Sequence, residues 1–239
     1  MLELDQSNYE KSIDWLEQSL AYWRPNRAND PLECIDVMTT LGKAYRWWEK
    51  YDESEKIVRE SISVYEKEIG GTGKQYLDAR SQLANLYFDR ELYSEAEKIF
   101  LSTLHEQAKL SGEQSFDYAV RLEDMGYFYN GSGDYKKAEK YYTMYGELAL
   151  KIKGRYSYSY LNCTYKLADV YSNLEQYNKA DENYKKAIVL AAKIYGNNSL
   201  EYARKMRGYA TFCMSQGWTA EAVKSYTIAS AIAKNVFWR

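Results

Sequence analysis

The feature that most constrains this chain is a repeat of period 42. Written in rows of 42 residues, the sequence falls into columns with no insertion or deletion. Tyr45, Tyr87, Tyr129 and Tyr171 share one column, and Tyr9, Tyr51, Tyr93, Tyr135 and Tyr177 a second. Tyr76, Tyr118, Tyr160 and Tyr202 form a third. Tyr142, Tyr184 and Tyr226 form a fourth, with Phe100 in the same place. These columns absorb 16 of the 26 tyrosines, so the unusual tyrosine content is mostly repeat structure. Small residues align as well: Gly42, Ala84, Gly126, Ala168 and Ala210 in one column, Ser54, Ala96, Ala138, Ala180 and Ala222 in another.

Each row carries two helical patterns. In row two, Leu77, Leu83, Ala84, Leu86 and Tyr87 recur at helical spacing, and after a short polar turn so do Tyr93, Ala96, Phe100, Thr103 and Leu104. A glycine column, Gly70, Gly112, Gly154 and Gly196, is expected to close the second helix as a left-handed cap. Two antiparallel helices of this length cannot bury their apolar faces alone, whereas stacked pairs make one continuous core. The expected fold is therefore all-α: a right-handed α-solenoid of about 11 helices. The rows divide the chain into a single helix and a Pro-containing linker at 1–33, then repeats at 34–75, 76–117, 118–159, 160–201 and 202–239. The opening helix matches over residues 5–23. Its Trp15 and Trp23 read as cover for the first inter-helix gap.

Composition excludes several function classes. The 32 Lys+Arg and 34 Asp+Glu leave a net charge of −2, with an isoelectric point near 5.7, which argues against a dominant phosphate-binding role. The longest apolar run, Ala187 to Ala192, is far short of the roughly 18–20 residues of a membrane helix. The N-terminus lacks the apolar core of a signal peptide, so a cytoplasmic chain is expected. Three scattered cysteines and one histidine, His105, make a zinc site or a histidine-based triad hard to build, and no cofactor is expected. Cys163 and Cys213 fall on apolar positions and read as buried thiols. The acidic column Glu55, Glu97, Glu139 and Asp181 reads as a solvated flank.

The pattern Leu83-Ala84-x-x-Tyr87, then Tyr93, Ala96 and Phe100, resembles the tetratricopeptide repeat. The period of 42 resembles its long subclass, found in kinesin light chains and in bacterial arrays attached to CHAT-type, caspase-like peptidases. The segments from Gly112 to Ala119 and from Gly196 to Ala203 resemble that subclass's G-x-x-H-P-x-Y-A, with Ser115 and Ser199 in place of His, and Phe116 and Leu200 in place of Pro.

The resemblance implies that the first helix of each pair faces a concave groove. Its outward positions then become candidate contacts: Lys43, Arg46, Asn85, Phe88, Glu123, Tyr127, Asn130, Asn162, Tyr165, Asp169, Arg204 and Arg207. Asparagines can bond both N–H and C=O of an extended peptide, and aromatic faces give contact area at low entropy cost. The expectation is a non-enzymatic scaffold that takes a protein or peptide partner in the groove, and neither nucleic acid nor membrane. The alternative is a sensor module of a larger effector such as a CHAT-type peptidase. An uncapped solenoid end, at Phe237-Trp238-Arg239, leaves room for a homodimer.

Overall fold

The computed structural model describes residues 2–237, with side chains over residues 9–235. It contains eleven α-helices, and no strand occurs among the described residues. The helices are α1 (Leu2–Asn26), α2 (Pro31–Trp47), α3 (Tyr51–Glu68), α4 (Lys74–Asp89), α5 (Tyr93–Ser111), α6 (Phe116–Gly131), α7 (Tyr135–Lys153), α8 (Tyr158–Asn173), α9 (Tyr177–Tyr195), α10 (Leu200–Ser215) and α11 (Thr219–Phe237). They form two compact units, residues 1–113 and residues 114–239. Within each unit every helix packs on its neighbour in the chain, as stacked helix pairs require. None of the described helices is long and apolar enough to cross a membrane. The expected uncapped end rests on Trp238 and Arg239, which lie outside the described residues.

The small columns mark the closest helix approaches. Ala96, Ala138, Ala180 and Ala222 are fully buried. Ser54 replaces alanine in the first pair, where its hydroxyl donates to the Gly42 carbonyl at 2.8 Å. Gly126 sits directly on the buried Tyr142 ring, where an added Cβ would lie 2.6 Å from a ring carbon. All three cysteines are buried free thiols. His105 is exposed.

The turns depart from the expected cap. Gly112, Gly154 and Gly196 have φ of 80 to 85°, but their ψ of 156 to 171° is extended rather than helical. That conformation is open essentially to glycine alone. Three residues later Ser115, Ser157 and Ser199 cap the following helix, each hydroxyl accepting from a tyrosine N–H at 3.1 to 3.3 Å. The left-handed caps lie instead at the other turn, in the column Glu49, Glu91, Gly133, Glu175 and Gly217, with φ between 59 and 88°. There the N–H groups of Lys50, Leu92, Gln176 and Trp218 donate five residues back, to the carbonyls of Tyr45, Tyr87, Tyr171 and Cys213, at 2.8 to 2.9 Å.

Three further expectations change. α1 runs to Asn26, past residue 23, with Pro25 inside its last turn and the Asn26 amide donating to the Tyr22 carbonyl at 2.7 Å. Trp15 is 71% exposed and covers no gap, while Trp23 is half-buried, edge-on to Tyr22. The acidic column is more than a solvated flank, since it clasps tyrosines of the next repeat. Tyr87 donates to Glu55 at 3.0 Å and Tyr209 to Asp181 at 2.8 Å.

Candidate functional site

The twelve candidate groove residues divide between the two units, and each unit treats them differently. In unit 1 three of the four are committed to internal partners. Arg46 on α2 pairs with Asp89 on α4 at 3.0 Å, tying neighbouring first helices together. Asn85 donates back to the Ser81 carbonyl at 2.9 Å, and Phe88 packs against Tyr93. Only Lys43 among the four is exposed.

In unit 2, α6, α8 and α10 bring together a cluster of acids, amines and tyrosines. Glu123 on α6 accepts from the Asn162 amide on α8 at 2.6 Å and from the Tyr145 hydroxyl. Asp169 on α8 accepts from the Tyr184 hydroxyl at 2.5 Å. Both carboxyls are pushed above their ordinary range by burial, against the pull of these donors and of the Lys166 ammonium. Tyr165 meets Tyr184 edge-on at 5.4 Å, and its hydroxyl rests on Gly208 of α10, where only the missing side chain leaves room. Burial, together with the charge of Asp169, pushes its phenol up to about 12. Tyr127 is exposed beside this group, and Asn130 is linked to Asn173 on α8 at 3.3 Å.

Two lysines complete the cluster, and neither was among the candidates. The Lys205 ammonium on α10 lies 4.2 Å from the Tyr165 ring centre, and that of Lys166 lies 5.9 Å from the Tyr127 ring. Burial pushes the Lys205 amine below its ordinary value. Among the described residues neither ammonium has a hydrogen bond or a salt bridge. The fully buried Tyr142 hydroxyl, near Glu123 and Asp169, has no hydrogen-bond partner among the described residues. Arg204 pairs with Glu201 and, with Arg207, lines a cleft between α10 and α11. Arg207 is also near enough to favour the Tyr165 phenolate.

One signal in the sequence points to this cluster. Ten tyrosines fall outside the repeat columns, so stacking does not demand them. Eight of the ten lie in residues 114–239, among them Tyr127, Tyr145 and Tyr165. The register of Lys205 repeats no residue type: Val37, Ala79, Arg121 and Cys163 stand there in the other rows, the last three of them buried.

A tetratricopeptide-repeat model matches residues 77–117, and a second such model matches residues 163–194, one stretch in each unit. Residues 77–117 and 163–194 are thus tetratricopeptide repeats. Solved structures share the whole fold. BtubC (BKLC) from P. vanneervenii superposes with a TM-score of 0.79 at 15% identity, over 95% of this chain and 92% of that one. A Podospora anserina putative kinesin light chain with nearly identical repeats gives 0.72 at 16% identity, over 86% and 97%. NprR in complex with its cognate peptide NprX gives 0.63 at 20% identity, over 96% and 61%. No curated protein sequence matches significantly. The tetratricopeptide solenoid is thus common to proteins of diverged sequence, and what each one holds depends on side chains that the repeat leaves open.

Proposed function

We propose that this protein is a binding scaffold that holds a peptide or protein segment on the first-helix face of unit 2. The observation that carries this reading is the pair of half-buried lysines, Lys166 and Lys205, that lie against the exposed Tyr127 and the half-buried Tyr165 without a hydrogen-bond acceptor or carboxylate in bonding distance among the described residues. A desolvated ammonium without a partner is unfavourable, and an incoming acceptor relieves it. Tyr127 and Tyr165 supply rigid contact area, while Asn162 and Asn130 supply donors and acceptors. The peptide carried by NprR on the same fold supports a peptide as the ligand class. Unit 1 offers less, because Arg46 is already paired with Asp89 and Asn85 with the Ser81 carbonyl.

Panning a random peptide library on the whole protein tests this. Selected peptides should lose affinity for Tyr165→Ala/Lys205→Ala and keep it for Lys43→Ala/Asn85→Ala, with both variants folded by circular dichroism. Peptides that bind the two variants equally would move the site off this face.

A further inference from the structure

Two surfaces of this chain expose positions that its own repeats bury. The first is a cleft of about 300 Å³ between α10 and α11, lined in part by Ala203, Ala229, Ser230 and Ala233 and by Arg204 and Arg207. Forty-two residues earlier the same register reads Leu161, Ala187, Ile188 and Ala191, and there Tyr202 and Met206 of α10 pack in. The α10–α11 cleft therefore has the form of a helix seat. Its lining differs from that of the earlier seat. Leu161 gives way to Ala203 and Ile188 to Ser230, which leaves more room, while Asn162 and Tyr165 give way to Arg204 and Arg207. Val223, 55% exposed, stands where Glu55 and Asp181 hold a tyrosine of the following repeat. Such a lining suits a helix with bulky aromatic side chains and an acidic flank.

The second surface, on α1, has that composition. Trp15 and Tyr22 are 71% and 63% exposed, and a separation of seven residues sets them on one stripe. In later rows the register of Trp15 holds Ile57, which packs at Gly42 of the paired α2. The register of Tyr22 holds Leu190 and Ile232, packed with Leu161 of α8 and with Ala203 and Met206 of α10. On α1 the same face is turned outward. Glu10 and Asp14 are exposed on its flank, and Lys11 on the stripe itself. The whole helix holds five Asp and Glu against Lys11 and Arg24, a net −3. α10 and α11 together hold five Lys and Arg against Glu201 and Glu221, a net +3. We propose that α1 of one molecule docks in the α10–α11 cleft of a second copy, with Trp15 and Tyr22 as the anchors. Arg204 already pairs with Glu201, which leaves Arg207 for the incoming carboxylates of Glu10 and Asp14. The contact is heterologous: it joins α1 of one molecule to the cleft of another, and a single such contact needs nothing of how the two units of a molecule are placed. Tyr127, Lys166 and Lys205 do not line this cleft, so peptide capture is a separate matter.

Sedimentation velocity on the whole protein tests it. Association of the wild type is expected to grow with protein concentration. Trp15→Ser/Tyr22→Ser removes the anchors, and Arg207→Glu/Ser230→Glu sets acids against α1. All four side chains are exposed, so helix content should be unchanged by circular dichroism. Each variant should weaken association at least about tenfold. Their equimolar mixture should form a complex of two and grow no further, because one variant keeps the cleft and the other keeps α1. A monomeric wild type, a variant that associates as the wild type does, or a mixture that stays monomeric would each overturn the proposal. Association kept by Arg207→Glu/Ser230→Glu and lost by Trp15→Ser/Tyr22→Ser would overturn it in favour of α1 pairing with α1.

Discussion

Gly126 and Gly208 show how one added methyl group can have opposite meanings. At Gly126 the new Cβ would meet the Tyr142 ring, which is fully buried and has nowhere to go. Gly126→Ala should therefore cost about 1–3 kcal/mol, read as a fall in the denaturation midpoint. At Gly208 the obstacle is the far end of Tyr165, which is half-buried and can swing outward. Gly208→Ala also gains helix propensity, of order 1 kcal/mol, so stability should hold while peptide capture falls. Equal losses of stability in the two variants would mean that Tyr165 is locked. Asp169 gives a second test at this scale. Burial raises its folded pKa above the unfolded one, so its ionised form opposes folding, and stability from this group falls as pH rises through the raised value. Asp169→Asn should then stabilise most at neutral pH, and the advantage should shrink as pH drops toward the ordinary carboxylate range. Melting temperatures across that range report it, and a pH-independent difference would contradict the burial argument.

At the scale of the helix, what was legible in the sequence was whatever repeats. Columns gave the pairing, the small contact residues and the aromatic column of Phe100, Tyr142 and Tyr184, all buried, because stacking imposes the same packing on every pair. The turns were less legible. A glycine after a helix is compatible with either a left-handed cap or an extended turn, and the difference lies in ψ, which no spacing encodes. The serines that replace the subclass histidine become intelligible only as caps of the next helix. The clustered amines were the hardest to read. Lys205 is interesting because of what it meets on α8, and that neighbour lies 40 residues away. Packing of the pairs themselves is testable at Ala138, which is fully buried where α6 and α7 approach. Ala138→Leu should destabilise by about 1–3 kcal/mol in calorimetry. An unchanged transition would show that the small column is not the limit on helix approach.

For the whole molecule, stacking makes stability a sum of repeat terms and nearest-neighbour interfaces rather than a property of one shared core. Long-range pairs here link helices adjacent in the chain or one pair apart, such as Arg46 with Asp89 and Asn162 with Glu123. A defect should then be felt locally. Overpacking at Ala96, between α4 and α5, ought to raise amide exchange across those helices while α8 and α9 keep their protection. Ala138→Leu should loosen α6 and α7 in turn and leave α2 and α3 as they were. Native-state hydrogen exchange followed by mass spectrometry resolves these segments. Uniform acceleration along the chain would mean that the two units unfold as a single cooperative body. The confined pattern is also what the peptide reading needs, since a face built in unit 2 can then change its side chains without disturbing the repeats of unit 1.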